Sequence, residues 1–384
     1  MRVDTQRILQ LARELIAANS ENPPGREAEA ARVLREHMEA HGISCRTIGS
    51  ADRPNLVFST HEEELGPLLF HGHLDTVPAG PEEQWNVDPF KGEVVGDRLY
   101  GRGACDMKGP LACLAETLLV YAQERNPIPL ALLATADEES GCSGAEEVAQ
   151  SGVLSGVRYG VCAEPTGLNV LVGEKGMLWT RIVATGKAAH ASRPEEGVNA
   201  IELCIRALDV LTRQGYSYEP NELMGRPTIS VGRIRGGIKI NVVPDRCEAE
   251  IDMRLVAGQS TDSVLAEMRS RIVDAGLSDS VSVEYIHGKP AVITPCESPI
   301  VRVACDAVEA VTGRRPEPHA APYGTDCSVL QPRLGIINVI CGPGSIEQAH
   351  QPNEFIRIES LTRATQIYLR IASRIGELAR TGIE

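Results

Sequence analysis

The chain has 384 residues, of which 42% are hydrophobic and 23% are charged. This length exceeds what one hydrophobic core usually serves, and the composition argues against a disordered protein, so we expect two globular domains. The formal net charge of −14 argues against nucleic acid or an anionic membrane as a partner and mildly favours a cationic substrate.

Nothing in the sequence indicates export or membrane insertion. No stretch reaches the ~20 apolar residues of a membrane-spanning helix, and the N-terminal MRVDTQ lacks a secretory apolar region. The 11 cysteines show no CxxC pair or regular spacing, which indicates reduced thiols rather than a disulfide framework. We therefore expect a soluble, cytoplasmic protein.

The first part of the chain alternates short apolar segments with segments of helical periodicity. Residues 1–42 predict two helices separated by a turn at 19–25. Beyond them the pattern predicts strands at 55–60, 67–74, 128–136 and 159–163, with helices near 109–123 and 143–151. This alternation predicts an α/β fold with a mostly parallel central sheet covered by helices.

From about Met177 the order of elements changes. The pattern predicts strand, helix, strand, strand, helix and strand at 179–185, 197–211, 228–231, 247–255, 260–275 and 281–286, which is the ferredoxin-like order. After Pro295 the α/β pattern resumes with a helix at 299–312, a strand at 335–341 and a helix at 358–378. We therefore predict a catalytic domain over residues 1–177 and 293–384, with an inserted βαββαβ domain over 178–292.

Side chains of metal-ligand type follow the predicted strands of the first domain, where open α/β sheets place their ligand sites. They are His71, His73 and Asp75, then Asp106, then Asp137, Glu138 and Glu139, then Glu164, and finally His350. Imidazole and carboxylate suit zinc, and a bridging carboxylate with a histidine and a carboxylate on each side makes a two-metal site. Asp75 can hold the second ring nitrogen of His73, and Glu138 and Glu139 can divide the roles of base and ligand.

Each of these residues also has an ordinary structural explanation. Asp106 could cap the helix that follows it, and residues 137–139 could form the acidic first turn of another helix. His350 could be an exposed loop histidine. The combination is what favours a metal site.

Several longer motifs carry a resemblance to a known family. They are His73-Leu74-Asp75-Thr76-Val77-Pro78, Gly101-Arg102-Gly103-Ala104-Cys105-Asp106-Met107-Lys108-Gly109, Asp137-Glu138-Glu139-Ser140-Gly141, Glu164-Pro165-Thr166, Gly186-Lys187-Ala188-Ala189-His190-Ala191-Ser192 and Asn241-Val242-Val243-Pro244-Asp245. In order and spacing the chain resembles the zinc amidohydrolase family that includes acetylornithine deacetylase, succinyl-diaminopimelate desuccinylase, aminoacylase and carboxypeptidase G.

The resemblance implies a role for each residue of the metal site. His73 and Glu164 would hold one metal ion, Glu139 and His350 would hold the other, and Asp106 would bridge the two. Two Zn²⁺ per subunit are implied, although Co²⁺ or Mn²⁺ suit the same ligands. Glu138 would be the general base that takes a proton from the attacking water and returns it to the departing amine, with Asp75 supporting catalysis.

In the insert, the resemblance implies a homodimer and three further functional residues. His190 resembles a family histidine that reaches the site of the partner subunit and donates a hydrogen bond to the oxyanion. Asn241 and Arg254 resemble residues that receive the substrate's α-carboxylate. The alternatives are a capping or surface role for His190 and a structural salt bridge for Arg254.

A few loop residues bear on the substrate. Residues 342–354 closely resemble the acetylornithine deacetylase ending, whereas Tyr323-Gly324-Thr325-Asp326-Cys327 departs from the Gly-Thr-Glu typical there, and Glu174-Lys175-Gly176 lacks the arginine pair of desuccinylases. We expect N-acetyl-L-ornithine as substrate, with Thr325, Asp326 and Lys175 among the binding residues. Asp326 could meet the ornithine ammonium, or it could only order its loop.

Other functions stay open at this point. The alternative substrates are N-succinyl-diaminopimelate, an acylated lysine or citrulline, and a dipeptide. A catalytically dead member would be expected to lose Glu138 or a ligand, and all are present. A nucleotide-binding α/β protein is set aside because the sequence has no GxxxxGK[ST] phosphate loop.

Overall fold

The computed structural model describes residues 2–62, 64–125 and 127–381, and the chain divides into two units. The first unit runs to Gly173, resumes over Thr294–His319 and continues from Thr325. The second unit comprises Glu174–Ile293 and Ala320–Gly324. The insert predicted over 178–292 falls inside the second unit.

The first unit contains seven helices and most of the strands in the described part of the chain. Its helices are α1 (Thr5–Ala17), α2 (Glu27–Ala40), α3 (Lys108–Tyr121), α4 (Ser143–Ser151), α7 (Pro299–Thr312), α8 (Cys327–Leu334) and α9 (Ile358–Thr381). Its strands are β1 (Cys45–Gly49), β2 (Pro54–Ser59), β3 (Leu68–His73), β4 (Glu93–Val95), β5 (Arg98–Tyr100), β6 (Leu130–Thr135), β7 (Tyr159–Pro165), β8 (Leu171–Glu174), β15 (Ile337–Gly342) and β16 (Phe355–Arg357).

The main sheet of this unit includes seven strands in the order β1-β2-β6-β3-β7-β15-β8. The four central strands, β6, β3, β7 and β15, are parallel to one another, whereas β1, β2 and β8 run antiparallel to their neighbours. All residues of β3 and β6 are buried, as expected for near-continuous apolar strands covered on both faces. The predicted mostly parallel central sheet is confirmed, and its parallel part lies at the centre.

Helix α3 lies in the interior of the first unit, where it contacts α1 and α9. Every one of its residues is buried, including Lys108 and Glu116. Lys108 Nζ donates to the carbonyl of Ala18 at 2.7 Å, and Glu116 accepts from the guanidinium of Arg7. Buried charges need such partners, and these contacts fix the helix that follows Asp106.

The second unit is a four-stranded antiparallel sheet with two helices. Its elements are β9 (Gly176–Thr185), α5 (Ala200–Arg213), β10 (Thr228–Gly236), β11 (Arg246–Leu255), α6 (Thr261–Asp274), β12 (Val281–Lys289) and β13 (Val292–Ile293), while β14 (His319–Ala321) follows later in the chain. The sheet order is β10-β11-β9-β12. Alternate residues of β9 and β11 pack with α5 and α6 in one apolar core, so the predicted βαββαβ order is the observed one.

Within the described ranges, none of the helices has the length and hydropathy needed to cross a membrane.

Candidate metal centre

The sheet topology brings ligand-type side chains to one edge of the first unit. His73 is the last residue of β3, and Glu164 lies near the end of β7, the parallel strand beside it. Glu139 follows β6 on the other side of β3, and His350 lies in the segment after β15. Because the carboxyl ends of parallel strands meet at one edge of a sheet, residues distant in sequence become neighbours.

Two groups of side chains meet at this edge and share Asp106. In one group, His73 Nε2 lies 3.1 Å from Asp106 Oδ1 and 3.5 Å from Glu164 Oε1. In the other, His350 Nε2 lies 3.4 Å from Asp106 Oδ2 and 3.1 Å from Glu139 Oε2. The two oxygens of Asp106 therefore face different histidines, and within each group the ligand atoms lie within 4.8 Å of one another.

The electrostatics of these residues fit a pair of divalent cations. Burial, reinforced by the nearby Asp106 carboxylate, raises the pKa of Glu139 and raises that of Glu164 well above its usual range. Hydrogen bonds with Asp106 and Glu139 raise the pKa of His350 to about 10. Three crowded carboxyl groups thus meet two histidines, and carboxylate with imidazole is a donor set that Zn²⁺ accepts.

The backbone also holds His350 in an uncommon conformation. Its φ is 61°, in the left-handed region that non-glycine residues seldom adopt. Such conformations concentrate at functional sites, where surrounding contacts hold them in place.

The structure refines the role predicted for Asp75. The Nδ1 atom of His73 lies 2.9 Å from the backbone oxygen of Asp75 and 3.5 Å from its carboxylate, so the nearer partner is the backbone. The Asp75 carboxylate accepts hydrogen bonds from the backbone N–H groups of Glu138 and Glu139 at 3.1 and 3.2 Å. Asp75 therefore orients His73 and also fixes the turn that presents Glu138 and Glu139.

Glu138 belongs to neither group, and its carboxylate lies close enough to His73 and Glu164 to act on their charges. Glu138 is partly buried. Burial lowers the pKa of His73, but hydrogen bonds with Asp106 and Asp75 and the charge of the Glu138 carboxylate raise it, and the net result is a pKa well above the usual value. Cys142 Sγ lies 4.0 Å from Glu138 Oε1. A carboxylate in this position is suited to move a proton beside the two groups.

A polar network that the sequence analysis missed supports this turn. Asn22 Nδ2 donates to Asp75 and to Asp137, at 2.9 Å in each case. Arg53 Nη2 lies 2.8 Å from Asp137 and 2.7 Å from the buried Glu27. No local sequence signal marks Asn22 or Arg53, whereas Asp137 belongs to the acidic motif already noted.

Glu354 is a second residue whose role the sequence analysis missed. It is completely buried, and its carboxylate accepts from Arg102 Nη1 at 2.7 Å and from the backbone N–H groups of Gly103, Cys105 and Asp106 at 3.1, 2.7 and 2.9 Å. These bonds fix the loop that carries Asp106. The sequence feature that could have identified Glu354 is its position in the 342–354 segment, which resembles the acetylornithine deacetylase ending.

The remaining predicted residues of the first unit are buried. Thr325 is fully buried, and its hydroxyl accepts from the N–H of Cys327 at 3.0 Å. Asp326 is 2% exposed, and its Oδ2 accepts from the hydroxyl of Thr135 at 2.5 Å. These contacts show how both side chains order the start of α8, and the substrate roles stay predictions.

The second unit holds the other four predicted residues. His190 and Asn241 are exposed and lie side by side, since Ala191 donates to the Asn241 carbonyl at 3.2 Å. The His190 ring contacts the Ser192 hydroxyl at 2.7 Å. Arg254 Nη2 lies 3.0 Å from Asp252, which is the salt bridge considered as an alternative, and Lys175 Nζ donates to the Arg226 carbonyl at 2.5 Å.

Replacing Asp75 with asparagine is expected to lower metal affinity or activity about 10–100-fold. The amide loses the charge that the N–H groups of Glu138 and Glu139 now contact, so the turn and His73 are less well held. Metal content after dialysis and steady-state kinetics would measure the effect. Asp88→Asn on the exposed surface is the matched control, and equal losses in both variants would contradict this role.

This arrangement, a mostly parallel sheet whose edge carries two histidine–carboxylate groups sharing an aspartate, defines a metal-dependent hydrolase. A model described as Peptidase family M20/M25/M40 matches residues 69–374. The chain belongs to this family, and it is a metal-dependent amidohydrolase.

Three relatives illustrate the similarity. The chain is 35% identical over 310 residues to a protein named acetylornithine deacetylase from Edwardsiella ictaluri (strain 93-146), with 78% of each chain covered. It superposes on an M20 family metallo-carboxypeptidase from Sulfolobus solfataricus with a TM-score of 0.81, 21% identity and coverage of 95% of this chain and 98% of that one. The chain also superposes on a dinuclear metal-binding M20 peptidase from Bacillus subtilis, with a TM-score of 0.75 and 21% identity. This superposition covers 97% of this chain and 98% of that one.

Proposed function

We propose that this chain hydrolyses the amide bond of an N-acyl amino acid, and that its substrate is N-acetyl-L-ornithine, which yields L-ornithine and acetate. The observation that carries the proposal is the pair of ligand groups joined through Asp106, with Glu138 near His73 and Glu164 of one group. The substrate assignment is supported by the resemblance of residues 342–354 to acetylornithine deacetylases and by the 35% identical relative that bears that name.

The chain's own residues divide the work in this proposal. His73 and Glu164 would hold one ion, Glu139 and His350 would hold the second, and Asp106, which belongs to both groups, would be shared between them. The two ions, when bound, supply the Lewis acidity that polarises the amide carbonyl and acidifies water. Glu138 accepts the proton of the attacking water and delivers it to the departing amine. Asp75, through the backbone N–H of Glu138, keeps that carboxylate in place.

We propose Zn²⁺ as the metal, with Co²⁺ or Mn²⁺ able to replace it, because imidazole and carboxylate suit all three. We also propose a cytoplasmic location. None of the 11 cysteines forms a disulfide in the structure, as expected in a compartment that keeps thiols reduced.

The decisive experiment follows the primary amine released from N-acetyl-L-ornithine by zinc-loaded protein, with a metal-stripped sample beside it. We expect rapid release that is lost on stripping and restored by zinc. Release from N-succinyl-diaminopimelate, an acylated lysine or citrulline, or a dipeptide, but not from N-acetyl-L-ornithine, would overturn the substrate assignment. Activity that survives complete removal of metal would overturn the mechanism.

The proposed substrate carboxylate site predicts a specific kinetic change. We expect Arg254→Met to raise KM about 10–100-fold with a smaller change in kcat, since a charge-assisted hydrogen bond contributes about 1.5–3 kcal/mol. In the structure the Arg254 side chain is 30% exposed and forms an ion pair with Asp252. Arg213→Met, at an exposed ion pair with Asp209 on α5, is the control. An unchanged KM in Arg254→Met would leave Arg254 with only its salt bridge.

We propose that the second unit forms a homodimer and that His190 acts in the partner's site. Exposed apolar side chains support an interface there, namely Val231 and Ile234 on β10 and Ile238 and Ile240, the last two 85% and 100% exposed. Light scattering is expected to show a dimer for the native chain and a monomer for Ile234→Lys. A monomeric native chain would contradict the proposal.

A further inference from the structure

A third group of ligand-type side chains lies in the interior of the first unit. His71, Cys162 and Cys327 offer a ring nitrogen and two sulfurs within 4.8 Å of one another. Each residue is at most 1% exposed. None of them belongs to the two groups that share Asp106.

The strand register explains why these residues meet. His71 pairs with Cys162 across the parallel strands β3 and β7. Side chains two residues apart on a strand point to the same face, so His71 precedes His73 and Cys162 precedes Glu164 on that face. Cys327, the first residue of α8, brings its sulfur to 3.9 Å from His71 Nε2. The third group is therefore a layer beneath the His73 and Glu164 ligands, about 7 Å further along the strands.

One buried ring atom of this group has no hydrogen-bond partner of ordinary geometry among the described residues. His71 Nε2 faces Asn338 Oδ1 at 3.1 Å, but His71 Nδ1 has no such partner. Buried polar atoms are nearly always satisfied, so a ring nitrogen left over beside two thiols calls for a ligand.

We propose that His71, Cys162 and Cys327 form a third metal site, which takes a thiophilic cation of the Zn²⁺ class. Two thiolates and an imidazole are ligands that zinc accepts, and full burial is typical of a structural site rather than a catalytic one. The ion would join β3, β7 and the start of α8 beneath the active-site ligands.

Thiolate ligation makes this site distinguishable from the Asp106 site, whose ligands are all nitrogen and oxygen. The full chain would be produced in medium in which Co²⁺ replaces zinc. We expect a near-ultraviolet thiolate-to-cobalt charge-transfer absorption and three Co²⁺ per chain. Both Cys162→Ser and Cys327→Ser are expected to lose this absorption and one ion. The control is Cys113→Ser, since Cys113 is equally buried in α3 and donates to the Leu361 carbonyl, and it should keep both signals.

A measurement on the native chain covers the case in which the serine variants do not fold. X-ray absorption at the zinc edge should show sulfur at about 2.3 Å in addition to nitrogen and oxygen. Only nitrogen and oxygen neighbours, a cobalt-loaded native chain without the charge-transfer band, or a Cys162–Cys327 disulfide found by mass spectrometry would each overturn the proposal. None of these readouts depends on catalysis, so a failed deacetylase assay leaves the result intact.

Discussion

Replacing Glu138 with glutamine is expected to lower kcat for N-acetyl-L-ornithine about 10²–10⁴-fold. The amide has nearly the shape of the carboxylate, and the N–H of residue 138 keeps its bond to Asp75, but the side chain can no longer accept a proton. Since Glu138 belongs to neither ligand group, metal content should not change. Steady-state amine release, with metal analysis of the same samples, measures both quantities.

The matched control is Glu146→Gln. Glu146 lies on α4, where it makes a surface ion pair with Arg333, so its loss should leave kcat near the native value. A Glu138→Gln variant with native kcat would show that another group moves the proton. A variant that also lost its metal would show that Glu138 is a ligand.

Replacing Asp106 with asparagine is expected to weaken binding at both ligand groups at once. Each oxygen of Asp106 faces one histidine, and among the described residues Asp106 alone belongs to both groups. The backbone N–H of residue 106 keeps its bond to Glu354, which preserves the loop. We expect metal affinity to fall by more than the roughly 100-fold loss at an outer-shell residue, with activity lost in parallel.

Equilibrium dialysis against a chelator, with metal analysis, measures this affinity for each ion. Asp97→Asn, which alters an exposed ion pair with Arg357, is the control and should bind metal as the native chain does. Loss of one ion with full retention of the other would contradict a shared role for Asp106.

The central sheet and the grouped ligands could be predicted because both follow from local patterns. The apolar segments that became β3, β6 and β7 are buried on both faces, and this made them visible as strands. Their ends then located His73, Glu139 and Glu164. The exposed β1 and the three-residue β4, β5 and β16 lack such a signal. Helix α8 was missed because it is short and contains Pro332.

The supporting contacts could not be read in the same way. Asn22 holds Asp75 from 53 positions away, and Glu354 holds Asp106 from 248 positions away. In the sequence, a buried amide or carboxylate in a loop cannot be distinguished from an exposed one, because its partners come from distant parts of the chain. The role of the Asp75 carboxylate is a similar case, because its closest donors are backbone N–H groups that no side-chain pattern reveals.

The contact between Glu354 and the Asp106 loop has a consequence for biosynthesis. Translation proceeds at about 5–20 residues per second, so the 248 positions between the two residues correspond to a delay of about 12–50 s. Between residues 164 and 350 the nascent chain has His73, Asp106, Glu139 and Glu164 but neither His350 nor the carboxylate that fixes the loop. The binding site therefore cannot be complete before Glu354 has been added, and a chain that terminates before residue 350 cannot form it.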